Sequence, residues 1–194
     1  LKTGIFGGTF NPVHNGHLLN CSFVREKFGL ERIILIPARM PVHKSCADIV
    51  SPAHRLKMLS IAVSPFPGLE VSSIEIDREQ PSYTVITLSE LMADDASLKP
   101  ALIIGSDSFN ELDTWREYRE ILKLADIIVI SRPGSSALRK DILALSDKIF
   151  SAENPCHDIS STEIRRRIRN GKNVDEMLPK GVIEYIHNKG LYLN

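Results

Sequence analysis

The chain has 194 residues, 43% hydrophobic and 25% charged, and its 24 Lys+Arg balance 24 Asp+Glu for a formal net charge of zero. That is an ordinary globular composition, long enough for one sizeable core, and it argues against a general nucleic-acid or anionic-membrane binder. Cys21, Cys46 and Cys156 are widely spaced and form no C-x-x-C pair, and neither an apolar run of about 18 residues nor a signal segment is present; the expectation is one cytoplasmic domain over 1–194.

Residues 2–6 read as a short strand, and the stretch GGTFNPVHNGH (residues 7–17) follows it. Gly7 and Gly8 lack a Cβ, so the backbone is free to take φ > 0 and to bring its N–H groups close to an anion. Asn11 and Pro12 mark a turn. His14 and His17, at i and i+3, share one face of the helix that starts here, and the N-terminal dipole of that helix favours the same negative charge. The ordered combination reads as a phosphate site, while the P-loop, dinucleotide and H-E-x-x-H motifs are absent from the chain.

Leu18, Cys21, Val24 and Phe28 continue the helix, which Gly29 ends, and residues 32–37 form a continuous apolar strand. The unit is β-α-β, and its right-handed crossover makes the strands parallel. The polar loop 38–46 carries Arg39, His43 and Lys44 directly after a strand, where α/β folds place ligand contacts. Ser51 and Pro52 start a helix through Leu56, Leu59 and Val63. The alternation in 69–76 predicts a more exposed strand. A further helix starts at Ser82, with Val85, Leu88 and Met92 on one face.

Residues 101–105 are a second buried strand, after which Ser106, Asp107 and Ser108 form a second binding edge with Trp115, the only tryptophan, a few residues on. Tyr118, Ile121 and Leu122 fit the buried face of the next helix. Residues 126–131 give a third buried strand, a helix through Leu138, Ile142 and Leu145 follows, and a short strand lies near Ile149. One doubly wound α/β sheet of about five to six parallel strands accounts for most of the chain, with a small helical portion over about 159–194. In that portion Ser160 and Glu163 predict a capping box, which puts Ser161 and Thr162 in the first helical turn and Arg165 one turn in, all suited to an anion. Arg166, Arg167 and Arg169 are read as a solvated basic face, and the tail through Val182, Ile183 and Ile186 as packing.

Taken together, GGTFNPVHNGH resembles the (H/T)xGH signature of the nucleotidyltransferase α/β superfamily, and ISSTEIR (residues 159–165) resembles its C-terminal S-T-x-x-R partner. More closely, the chain is similar to the bacterial nicotinate-nucleotide adenylyltransferases, through PVHK (41–44), SYTV (82–85), GSD (105–107) with Trp115, SRPG (131–134) and the closing GLY (190–192). The resemblance implies a Rossmann-like fold and transfer of AMP from ATP to nicotinate mononucleotide, with release of pyrophosphate. Its attacking phosphate is already anionic, so no general base is required, and catalysis is positioning plus charge stabilisation.

The resemblance further implies that His14, His17 and Arg165 are catalytic. ATP would be bound by Gly7, Gly8, Thr9, Phe10, His14, His17, Ser161, Thr162 and Arg165. The acceptor would be bound by Lys44, Thr84, Asp107 and Trp115, with the Trp115 ring stacked on the nicotinate. Mg²⁺ would enter with ATP, and no protein side chain is assigned as a metal ligand. The partners are small molecules, with no nucleic acid and no membrane, and homo-oligomer formation is left open. One departure is Ile86, which stands where the family leads one to expect aspartate. The alternatives are an adenylyltransferase for another phosphorylated acceptor, such as nicotinamide mononucleotide or phosphopantetheine, and a non-catalytic nucleotide-binding module.

Overall fold

A computed structural model describes residues 2–39, 49–131, 136–153 and 159–193. Its six strands, β1 (Thr3–Gly8), β2 (Arg32–Pro37), β3 (Leu69–Val71), β4 (Pro100–Gly105), β5 (Asp126–Ser131) and β6 (Ile149–Glu153), pair in parallel in the order β3-β2-β1-β4-β5-β6. The expected doubly wound sheet is therefore present. The order reverses between β1 and β4, and the crevice at the carboxyl ends of such a pair is where this architecture binds ligands. Gly8 and Gly105, which close the two strands, stand at that crevice.

Strand alternation distributes the core to two sides of the sheet. Ile33, Leu35, Ala101, Ile103, Ile128 and Ile130 join one cluster, built with α1 (Asn15–Lys27), α2 (Pro52–Val63), α8 (Ser161–Arg169) and α9 (Lys180–Lys189). Ile34, Ile36, Leu102, Ile104, Ile127 and Val129 join the other, with α4 (Thr84–Asp94), α5 (Ser106–Asn110), α6 (Tyr118–Leu124) and α7 (Lys140–Leu143). Both faces of the central strands are covered, so they read as unbroken apolar runs rather than alternating ones.

The strand expected over 69–76 is shorter. It stops at Val71, and α3 (Ile74–Asp77) is a single helical turn. Two serines cause the switch: Ser72 Oγ accepts from the Ile74 N–H at 3.3 Å, and Ser73 Oγ donates to Asp77 Oδ2 at 2.6 Å. These hydroxyls offer the backbone local partners that compete with the sheet ladder. The next helix begins at Thr84, with Tyr83 as its N-cap, rather than at Ser82. The helix through Leu138 and Leu145 shortens to Lys140–Leu143. Among the described residues no helix is long and apolar enough to cross a membrane.

Candidate active site

The glycine stretch is used differently from the sequence expectation. Neither Gly7 nor Gly8 takes a positive φ; both end β1, and the left-handed residue of the loop is Phe10, with φ 48°. The two positions differ in the space around them. A Cβ on Gly7 would meet nothing within 4 Å, so its main chain is open to a ligand, whereas one on Gly8 would lie 3.0 Å from the Phe10 ring. Phe10 is buried and packs edge-on against His17, with 5.1 Å between ring centroids, so its side chain is taken up by packing.

His14 is the N-cap of α1 and His17 its third residue, so both rings do lie on one face, stacked at a centroid distance of 3.6 Å. Gly16 makes room for them: a Cβ there would sit 3.1 Å from His14 Nδ1. The backbone N–H of His14 donates to His17 Nδ1 at 3.2 Å. A ring whose Nδ1 accepts carries its proton on Nε2 when neutral, so His17 presents an N–H donor from the far side of its ring.

The second motif docks on the first. Ser161 Oγ donates to the Pro12 carbonyl at 2.9 Å, and Arg165 Nη1 donates to the Asn11 carbonyl at 2.9 Å. Residues about 150 positions apart in sequence thus close one loop, which opposite ends of the chain build together. The capping box forms by half. Ser160 Oγ accepts from the Glu163 N–H at 3.2 Å, but the Glu163 carboxylate turns to Arg166 (2.7 and 2.8 Å) and Arg167 (2.9 Å) instead of reaching back. Two guanidinium groups outbid one backbone N–H for a carboxylate. Hydrogen bonds from Arg166 and Arg167 hold the Glu163 pKa at about 2, so the pair is occupied away from the loop while Arg165 faces it. Thr162 is exposed on the same turn, 3.5 Å from Arg165 Nη2.

A cavity of about 580 Å³ opens at the carboxyl ends of β1 and β4. Gly7, Gly8 and Thr9 form one wall; Ser82, Tyr83, Thr84 and Thr87 form another; Ser108, Glu111, Thr114 and Trp115 close it. Thr84 and Trp115 are therefore brought to the same cavity as the glycine loop. Asp107 is exposed on α5 and is not among the lining residues, which include its neighbour Ser108 instead. Lys44 lies outside the described residues. Ile86, half-buried, packs against the same apolar cluster as Tyr83 and Trp115. An apolar side chain is what that position contacts.

Three residues escaped the sequence reading. Arg55 on α2 is fully buried, and burial lowers its pKa from the ordinary arginine value. It stands three and four positions before Met58 and Leu59, so helical spacing already put it on the inward face. Glu75, expected on a strand, is buried on α3, lines the cavity and accepts from Thr87 Oγ1 at 2.7 Å. Arg78 Nη2 donates to the same hydroxyl at 3.1 Å. Tyr192, read as packing, donates its phenol to Asn11 Oδ1 at 2.9 Å, and burial pushes its pKa up. Asn11 Oδ1 also accepts from the Val50 N–H at 3.2 Å, so this one amide joins the loop, the segment before α2 and the tail.

The profile of the cytidylyltransferase-like family matches residues 5–167. A probable nicotinate-nucleotide adenylyltransferase from Roseiflexus castenholzii is 42% identical over 195 residues, covering 98% of each chain. The chain belongs to the nicotinate-nucleotide adenylyltransferase family. A second member, from Desulfatibacillum aliphaticivorans, is 37% identical with full coverage of both chains. The family fold extends to more distant proteins: the Plasmodium falciparum nicotinic acid mononucleotide adenylyltransferase complexed with NaAD superposes with a TM-score of 0.83 at 20% identity, over 98% of this chain and 97% of that one.

Proposed function

We propose that the chain transfers AMP from ATP, entering as its Mg²⁺ complex, to nicotinate mononucleotide, forming nicotinate adenine dinucleotide and pyrophosphate. The observation that carries this reading is the shared glycine loop. Its Gly7–Thr9 stretch walls the cavity that holds Thr84 and Trp115, while its Asn11–Pro12 turn carries Ser161 and Arg165. An acceptor in the cavity and a triphosphate along the loop would meet at one place, as a two-substrate transfer requires. The family membership supports the same reading.

In this mechanism an acceptor phosphate oxygen attacks the α-phosphorus in line as the bond to pyrophosphate breaks. The main-chain N–H groups of Gly7, Thr9 and Phe10, the Nε2–H of His17 and the ring of His14 hold the phosphates near the α position, while the Gly8 N–H stays in the ladder with β2. Thr162 and the N–H groups of Arg165 not used on Asn11 hold the far end. Each donates to charge that grows on the departing oxygens, which is where preorganised donors lower a barrier most. Trp115 stacks on the nicotinate ring, and Thr84 and Lys44 complete the acceptor contacts, whereas Asp107, which does not line the cavity, is left out of them. Among the described residues no cluster of three or more His, Cys, Asp or Glu side chains could hold a metal. The Mg²⁺ ligands in this reading are the oxygens of the triphosphate itself.

Pyrophosphate release with Mg²⁺, ATP and a panel of nicotinate mononucleotide, nicotinamide mononucleotide, phosphopantetheine and FMN tests the assignment. Fastest turnover is expected with nicotinate mononucleotide. Faster turnover with phosphopantetheine or FMN would overturn the acceptor, and no release with any of them would favour a binding module.

A further inference from the structure

Arg55 is 0% exposed, and no carboxylate among the described residues pairs with it. Its donors go to three main-chain carbonyls in separate segments: Nη1 to Thr9 at 2.8 Å, Nη2 to Arg39 at 3.1 Å and Nε to Val50 at 3.2 Å. A buried cation held only by neutral acceptors is a poor stabilising device, since an apolar side chain of similar volume often does as well. What an apolar residue cannot do is fix the relative positions of three backbone segments.

One of those segments continues the connection. The N–H of Arg39 donates to Ser82 Oγ at 3.1 Å, and its Nη1 donates to the carbonyls of Arg78 at 2.8 Å and Ile76 at 3.2 Å. An unbroken series of hydrogen bonds therefore runs from Thr9, through Arg55 and Arg39, to Ser82 and the end of α3. Thr9, Ala38 and Ser82 all line the cavity, so the series passes beneath it from the glycine-loop wall to the wall that bears Tyr83 and Thr84.

We propose that Arg55 and Arg39 are positioning residues that set the separation between the ATP loop and the acceptor wall. The inference rests on the two-substrate reading above. Neither side chain needs to touch a substrate: the Arg55 guanidinium acts through the Thr9 carbonyl, and the Arg39 guanidinium through the carbonyls of Ile76 and Arg78 at the end of α3, while the Arg39 main chain, which a substitution keeps, bonds Ser82. In-line transfer tolerates little error in this separation, because a misplacement of about 1 Å costs on the order of 100-fold in rate.

The test is steady-state kinetics of the full chain as wild type, Arg55→Lys, Arg39→Met and the double variant, with melting temperatures measured alongside. A lysine keeps the charge but presents its donors from a single nitrogen, so it cannot span three carbonyls. Each single variant is expected to lower kcat by roughly 10- to 100-fold while both KM values stay within about threefold, the pattern of lost alignment rather than lost binding. Because the two residues act in series, the double variant should be no slower than about twofold below the worse single. Should Arg55→Lys fail to fold, Arg39→Met still decides, since Arg39 is exposed and its loss leaves the core intact. Wild-type kcat in the folded single variants, or losses that multiply in the double, would overturn the inference while leaving the adenylyl transfer standing. A wild-type chain inactive with every acceptor would instead defeat the functional reading, and the inference with it.

Discussion

Replacing Gly7 with alanine separates the ligand from the fold more cleanly than any other substitution in the loop. A Cβ at Gly7 meets nothing within 4 Å, and the residue does not have a positive φ, so the folded protein accommodates it without strain. Stability should change by no more than about 0.5 kcal/mol, and a small gain is expected because alanine restricts the unfolded chain. The nucleotide loses more. An oxygen hydrogen-bonded to a backbone N–H sits at about 2.9 Å, whereas carbon contacts settle at about 3.5–4.0 Å, so a methyl beside that amide displaces the phosphate by roughly 1 Å. A displacement of that size corresponds to about 100-fold in kcat/KM, or about 2.7 kcal/mol of transition-state stabilisation. Pyrophosphate release and a thermal melt on the same preparation measure both sides. Gly4→Ala is the converse control. Its Cβ would lie 2.8 Å from Ile33 and 3.0 Å from Ile103, which should cost about 1–3 kcal/mol in stability while sparing the activity of the folded fraction. Wild-type kcat/KM in Gly7→Ala would refute the placement of phosphate against this main chain.

Other substitutions address the remaining roles. His17→Ala should lower turnover by at least about 100-fold with the protein still folded, as removal of a transition-state donor does; near-normal rates in pure protein would contradict the His17 role. Trp115→Ala should raise the KM for the nicotinate nucleotide and leave that for ATP nearly unchanged, and the opposite split would reject stacking on the acceptor. Arg165→Ala should cost far more activity than Arg166→Ala or Arg167→Ala, because only Arg165 bonds the loop while its neighbours are paired with Glu163. Equal losses across the three arginines would show that the choice is wrong.

The sheet was legible because its strands are covered on both faces, and runs such as residues 32–37 and 126–131 have no other stable use. The two motifs were legible for a different reason: glycine, histidine and hydroxyl residues at helix starts declare themselves through local geometry. Contacts that depend on the third dimension were not. The spacing of Arg55 from Met58 and Leu59 puts it on the inward face of its helix, but nothing near it in sequence says that it clamps Thr9, 46 positions away. Glu75 was misplaced because alternation in 69–76 mimics a strand, and the serine hydroxyls that end it act through hydrogen bonds a hydropathy pattern does not contain. The φ > 0 position fell on Phe10 because Gly7 and Gly8 are still paired with β2, leaving the bend to the next free residues.

The hydrogen bond from Tyr192 to Asn11 spans 181 positions. It bears on how the protein is made, because synthesis is vectorial and the nascent chain folds as it leaves the ribosome. The first loop to emerge waits for some of the latest residues: Ser161 and Arg165 must arrive before their bonds to the Pro12 and Asn11 carbonyls form, and Tyr192 before its bond to the Asn11 amide does. A nascent chain halted short of residue 161 would already contain all six strands of the sheet and yet lack α8 and its bonds to the loop. On the proposed reading, competence to bind ATP is expected only once nearly the whole chain has been released, and binding of a fluorescent ATP analogue to ribosome-stalled chains of increasing length should show it as a late, steep onset rather than a gradual rise.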